Sequence, residues 1–175
     1  MTVNVSGVQL SDPGFLADLV EVARSHETDA FGLCLEITET AIIADPARAR
    51  ATLIDAHELG FTIALDDFGT GQSSLAYLAD FPIDIIKIDM SFVAAMDTDP
   101  KSHALVRAMV QMAHSLGALT IAEGIETAEQ LKALRELGCT LGQGYYLGRP
   151  GEADAVVWQA RDMLPATDQA ITRAI

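Results

Sequence analysis

The stretch Thr62-Ile63-Ala64-Leu65-Asp66-Asp67-Phe68-Gly69-Thr70-Gly71 decides how this chain is read. A short apolar run ends abruptly in two adjacent carboxylates and a glycine-bearing turn, the pattern of a buried strand whose carboxyl end carries polar groups. The same pattern recurs on both sides of it. Thr2 to Ser6 carries Asn4, Leu33 to Glu39 carries Glu36 and Glu39, Asp84 to Asp89 carries Lys87 and Asp89, Leu119 to Ala122 runs into Glu123, and Thr140 to Gly142 precedes Gln143. Helical patterns separate these runs, and strands alternating with helices predict parallel βα units. In a (β/α) barrel the chemistry sits at the C-terminal strand ends, so these polar ends are expected to converge on one mouth.

The spacing bounds the architecture. Asn4, Glu36, Asp66, Lys87, Glu123 and Gln143 follow one another at 32, 30, 21, 36 and 20 residues, one βα unit per step. An eight-unit barrel takes about 250 residues. The 175 residues here therefore predict an α/β, TIM-like barrel that is incomplete, with six of eight strand units present. Helices are expected at 12–25, 46–59, 100–117, 127–137 and 151–163, with a shorter one near 73–80. Asp12-Pro13, Asp45-Pro46 and Asp99-Pro100 each set a capping carboxylate before a proline suited to a first turn, and Gly60, Gly117 and Gly138 suit left-handed caps at helix ends. With no linker or low-complexity tract, residues 1–164 read as one partial domain and 165–175 as a C-terminal tail.

A net charge of −14 argues against a duplex DNA or RNA partner, because such surfaces neutralise phosphates with Lys and Arg. An anionic substrate would need metal ions to offset that charge. Cys34 and Cys139 show neither CxxC spacing nor a disulfide framework, which predicts reduced thiols and a cytoplasmic location. No apolar stretch approaches the ~18 residues of a membrane span, and the N-terminus lacks a basic-then-apolar signal pattern, so no membrane contact is expected of this segment.

Glu36, Asp66, Asp67 and Glu123 supply hard anionic oxygens, and Asn4 and Gln143 neutral ones, the donors preferred by Mg²⁺, Mn²⁺ or Ca²⁺. Zinc is disfavoured, since the four histidines fall on unrelated helices. In Asp66-Asp67 one carboxylate can bridge two ions while the other completes the second site, and two ions about 3.5–4 Å apart are the usual device for activating water against a phosphodiester. Lys87 would stand among them as a cation near the attacking water, and Asp89, on the same side of the strand, is placed to hold it. Taken singly, each element has a plainer reading: Glu36 or Glu123 as a helix cap or surface ion pair, Asp66-Asp67 as an ordinary turn, Lys87 as a snorkelling edge lysine. Gly69-x-Gly71 is no phosphate-binding fingerprint. The joint occurrence at matching positions of successive units outweighs the plainer readings.

Six motifs in order, Val3-Asn4-Val5-Ser6, Leu35-Glu36-Ile37-Thr38-Glu39, Ala64-Leu65-Asp66-Asp67-Phe68-Gly69-Thr70-Gly71, Ile86-Lys87-Ile88-Asp89, Ala122-Glu123-Gly124-Ile125-Glu126-Thr127 and Gln143-Gly144-Tyr145-Tyr146-Leu147-Gly148-Arg149-Pro150, resemble the EAL-domain cyclic di-GMP phosphodiesterases over essentially the whole chain. The resemblance implies a modified TIM barrel that hydrolyses cyclic di-GMP to linear pGpG with Mg²⁺ or Mn²⁺, Ca²⁺ being inhibitory. It implies Asn4, Glu36 and Asp66 as ligands of one metal and Asp66, Asp67 and Glu123 as the second site, with Lys87, Asp67 and Glu123 as the catalytic set. Gln143, Asp89 and Glu126 fall to substrate binding. Glu39 corresponds to a glutamate that anchors the loop from Phe68 to Ser74, where Gln72 replaces a common tyrosine. That loop implies a homodimer, with the open barrel edges as a second route, and sensory or GGDEF domains as companions in a longer protein. The Glu-Ala-Leu motif, expected about two strands before Asn4, is absent ahead of Met1, and with it a metal-ligating glutamate and a phosphate-binding arginine; weak hydrolysis by this chain is therefore expected. The rival reading is a non-catalytic module that binds cyclic di-GMP or a protein partner in signalling. A metal-dependent barrel acting on another phosphate ester is a third.

Overall fold

The computed structural model describes residues 1–25, 32–70 and 75–151. Six parallel strands in chain order form one sheet: β1 (Thr2–Val5), β2 (Cys34–Thr38), β3 (Thr62–Phe68), β4 (Ile85–Ile88), β5 (Leu119–Ala122) and β6 (Leu141–Gly142). The α/β architecture and the strand positions are as the sequence predicts. Among the described residues β1 and β6 each have one neighbour, so the sheet is an open arc.

The pleat sorts the strands into two faces. Leu35, Ile37, Ile63, Leu65, Ile86 and Ile88 join the main core, packed against the helices. The alternate positions Cys34, Ala64 and Ile85 form a second small cluster with Ile121 beside it. Two residues further along the same face of each strand stand Glu36, Asp66, Lys87 and Glu123. An apolar floor thus lies directly under a charged layer, the layered inward face of a barrel wall.

The helices are α1 (Gly7–Leu10), α2 (Phe15–Ser25), α3 (Glu39–Ala44), α4 (Pro46–Glu58), α5 (Met90–Ala95), α6 (Pro100–Ser115) and α7 (Ala128–Glu136), with a 3₁₀ turn at Leu75–Asp80. Asp45 and Asp99 cap α4 and α6, with proline in the first turn as expected. Gly60, Gly117 and Gly138 take φ of 96°, 74° and 83° just past α4, α6 and α7. Asp12 differs from the expectation. Its carboxylate accepts from the Gly14 amide at 2.8 Å, closing a turn on itself, and α2 starts only at Phe15. The expected helix at 151–163 and the tail from 165 lie outside the described residues, apart from Gly151.

The short helices α1, α3 and α5 were not among the expected elements. Each follows directly on a strand and is nucleated by the residue at its end: Ser6 and Gln9 form a reciprocal capping box, Thr38 accepts from the Ala41 amide, and Asp89 accepts from the Ser91 amide. The local signals available for them were the Ser6-x-x-Gln9 capping box and the capping side chains Thr38 and Asp89.

Candidate active site

Lys87 is the centre of the site. It projects from β4 with 7% of its surface exposed, and its Nζ lies 2.8 Å from Asp66 Oδ1, 2.8 Å from Glu123 Oε1 and 3.1 Å from Glu36 Oε1. Asp66 is on the adjacent β3, Glu123 follows the adjacent β5, and Glu36 comes from β2, two strands away. Strands stand about 4.8 Å apart in a sheet, so β2 and β5 would be about 14 Å apart if it were flat. The curl of the arc brings their carboxylates onto one ammonium.

Burial works against the Lys87 charge, yet the hydrogen bonds it donates to Asp66, Glu123 and Glu36 outweigh it and hold the ammonium well above the usual lysine range. Burial also raises Glu123; the neighbouring Lys87 pulls it down, Asp66 and Glu36 push it up, and it ends above the ordinary carboxylate value. Three carboxylates against one ammonium leave the site short of positive charge.

β3 breaks its regular pairing between Leu65 and Phe68, and Asp67 adopts φ of 53°. A strict strand would send Asp66 and Asp67 to opposite faces. The bulge and the left-handed turn, which aspartate tolerates better than most residues, keep both carboxylates at the strand mouth. Asp67 is raised by partial burial first and then by Asp66 and Asp89, with Lys87 opposing. Immediately beyond, the Gly69 amide donates to Glu39 Oε1 at 2.8 Å, and Glu39 is buried. This bond ties the loop after β3 to the start of α3; residues 71–74, including Gln72, lie outside the described residues.

The other expected site residues are placed differently. Asn4 stands opposite Glu36 in the β1–β2 register and is exposed. Gln143 is exposed at the far edge, held by its backbone: its amide donates to the Ala122 carbonyl at 2.8 Å, and its carbonyl accepts from the Ile125 amide at 3.0 Å. Gly144 makes this close approach feasible, since a Cβ there would sit 2.2 Å from both Ile125 N and Ile125 O. Glu126 is also exposed, its amide bound to Gln130 Oε1 at 2.8 Å. Asp89 does not hold Lys87. Its carboxylate accepts from the amide and hydroxyl of Ser91 and caps α5, while the Lys87 ammonium, equally near in the chain, is engaged by Glu36, Asp66 and Glu123.

Gln130 is a contributor the sequence reading missed. Buried on α7, it accepts from the Glu126 and Thr127 amides and donates to the Val93 carbonyl on α5, bracing the turn that leads from Glu123. The Thr127-x-x-Gln130 capping box was its visible signal.

Converging oxygens from Glu36, Asp66 and Glu123, with Asp67 beside them and no histidine or thiol among them, fit a hard divalent cation by donor chemistry. Among the described residues no trio of His, Cys, Asp or Glu is already spaced as a metal cage; the Lys87 ammonium stands between the carboxylates. His57, His103 and His114 lie on α4 and α6, away from the strand ends.

The chain matches the model of the EAL domain over residues 1–150. It is 40% identical over 150 residues to a cyclic di-GMP phosphodiesterase of Pseudomonas aeruginosa, an overlap covering 86% of this chain and 26% of that protein. The PaMucR phosphodiesterase in complex with c-di-GMP superposes with a TM-score of 0.83 at 35% identity, over 87% of this chain and 62% of that one. Klebsiella pneumoniae BlrP1, in a complex with manganese and c-di-GMP, superposes at 0.79 with 30% identity, over 85% of this chain and 38% of that one. The curated relatives are longer proteins, of which the chain spans 21%, 26% and 29% in three instances. No helix among the described residues is long and apolar enough to cross a membrane. From its match over residues 1–150 and from these structural neighbours, the chain belongs to the EAL-domain family.

Proposed function

We propose that this chain forms part of a cyclic di-GMP phosphodiesterase of the bacterial cytoplasm, opening one phosphodiester of the cyclic dinucleotide by water to yield linear pGpG. The observation that carries this reading is the buried Lys87 ammonium, ringed by Glu36, Asp66 and Glu123 at the strand mouth. Asn4, Glu36 and Asp66 would hold one Mg²⁺ or Mn²⁺, and Asp66, Asp67 and Glu123 a second, with Ca²⁺ occupying the sites without supporting turnover. When bound, two such ions supply an activated water and charge compensation for the phosphate. Lys87 orients that water and steadies its developing charge. Gln143, Asp89 and Glu126 at the rim contact the dinucleotide, Asp89 keeping its role as the α5 cap. Glu39 holds the loop after β3 through Gly69, and we propose that this loop forms a homodimer contact. The domain extends over 1–164, and the longer protein joins it to sensory or GGDEF domains.

The reaction is tested by chromatography of cyclic di-GMP incubated with the chain and Mg²⁺ or Mn²⁺, alongside equilibrium binding in Ca²⁺. Appearance of pGpG, slow while the arc edges at β1 and β6 stay unpaired and faster in the longer protein, supports it. In the longer protein Lys87→Ala is expected to lower kcat by about 10²-fold with a much smaller change in affinity. Tight binding without hydrolysis in the longer protein would make it a cyclic di-GMP receptor instead. Absence of both would refute the dinucleotide as ligand.

A further inference from the structure

Lys87 has three N–H donors on its ammonium, and three carboxylate oxygens lie within 2.8 to 3.1 Å of it. Its side chain is 8% exposed, so with those donors engaged none remains to orient a water. Glu36, Asp66 and Glu123 are also the groups that a hard divalent ion would take. An ammonium and a divalent ion a few ångströms apart repel strongly in a partly buried site, where the dielectric screening is far below that of water. Lys87 engages one oxygen of each carboxylate, so a divalent ion that draws the same three groups around itself competes with the ammonium for them. Yet one ammonium leaves the three carboxylates with excess negative charge, which favours the ion of higher charge.

We propose that Lys87 is the resident counter-cation of this site and that a divalent ion displaces it from Glu36, Asp66 and Glu123, so that loading the metal is also what frees the ammonium to meet the attacking water. The inference rests on the divalent-ion reading given above. It makes the site self-ordering: the metal enters first, the lysine is released second, and a metal-free site is held shut by its own ion pairs. The ammonium also preserves the fold of the empty site, since without it three crowded carboxylates would repel one another.

The exchange is tested with Lys87→Met, an unbranched apolar side chain of similar length, without any need for turnover. In metal-free buffer the variant is expected to melt below the unmodified chain. By calorimetry it is expected to bind Mn²⁺ tighter by on the order of tenfold or more, because the competing cation is gone. In the unmodified chain, a nitrogen NMR signal from a protected Lys87 ammonium is expected without metal and should move or vanish in step with Mg²⁺ titration. Mn²⁺ binding no tighter in Lys87→Met, or an ammonium signal unchanged at saturating Mg²⁺, would show that lysine and metal coexist and would overturn the exchange while leaving the metal site standing. Failure of both proteins to bind Mn²⁺ would overturn the metal site and the exchange together.

Discussion

Asp66 carries more of the site than any other single carboxylate. Its Oδ1 accepts from Lys87 Nζ at 2.8 Å and from the Asp67 amide at 3.1 Å, so it holds both the cation and the bulge that follows. Asp66→Asn keeps the shape and removes the charge proposed to bridge two ions. The expected result is weaker Mg²⁺ or Mn²⁺ binding with altered stoichiometry by calorimetry and little change in the fold, since Glu36 and Glu123 still hold Lys87; unchanged affinity and stoichiometry would contradict the two-ion arrangement. Below this layer, burial, then Glu36 and Asp84, push the Cys34 thiol from 9.0 to about 11. The folded chain therefore keeps the thiol proton to higher pH than the unfolded chain does. The resulting contribution to stability is full below pH 9.0 and is lost as pH rises through about 11. Denaturant titrations at these two limits should show Cys34→Ala losing less stability than the parent, by up to ~2 kcal/mol. Thiol reagents should reach Cys34 only on unfolding, as its burial at 5% exposure implies.

At the scale of elements, the site is held by helix starts placed directly at strand ends. Thr38 caps α3 one residue before Glu39, Asp89 caps α5 two residues after Lys87, and Thr127 with Gln130 caps α7 four residues after Glu123. Gln130→Ala removes half of that capping box and leaves the Val93 carbonyl without its side-chain donor. A loss of about 1–2 kcal/mol in urea unfolding is expected, together with weaker metal binding as the turn after Glu123 loosens. Thr127→Ser, which keeps the capping oxygen, should cost much less. The long helices α4 and α6 were legible because an Asp-Pro start and a terminal glycine bracket them over several turns, and α7 because Gly138 marks its end. The short ones were not: four to six residues give too little periodicity to register, and one of their caps, Asp89, also suits a functional reading.

For the whole molecule the governing fact is the open arc. β1 and β6 each leave one side unpaired among the described residues, and free strand edges invite pairing with another chain. The chain on its own is expected to self-associate or aggregate rather than run as a stable monomer in light scattering, and to become better behaved when those edges are paired; a stable monomer at high concentration would contradict this. The strands, their order of polar ends and the donor chemistry were determined by the sequence alone, because pleat and periodicity are local: Cys34 to Glu36, Ala64 to Asp66, Ile85 to Lys87 and Ile121 to Glu123 repeat one two-residue step from apolar floor to charged mouth. Only the tertiary structure decided which of those groups meet. The curl of the sheet carries Glu36 across two strands to Lys87, the bulge keeps Asp67 beside Asp66, and the amide of Ser91 takes Asp89 away from the lysine. Such choices are competitions among several partners for one group, and they are settled by how the sheet curls and packs, which no single stretch of sequence contains.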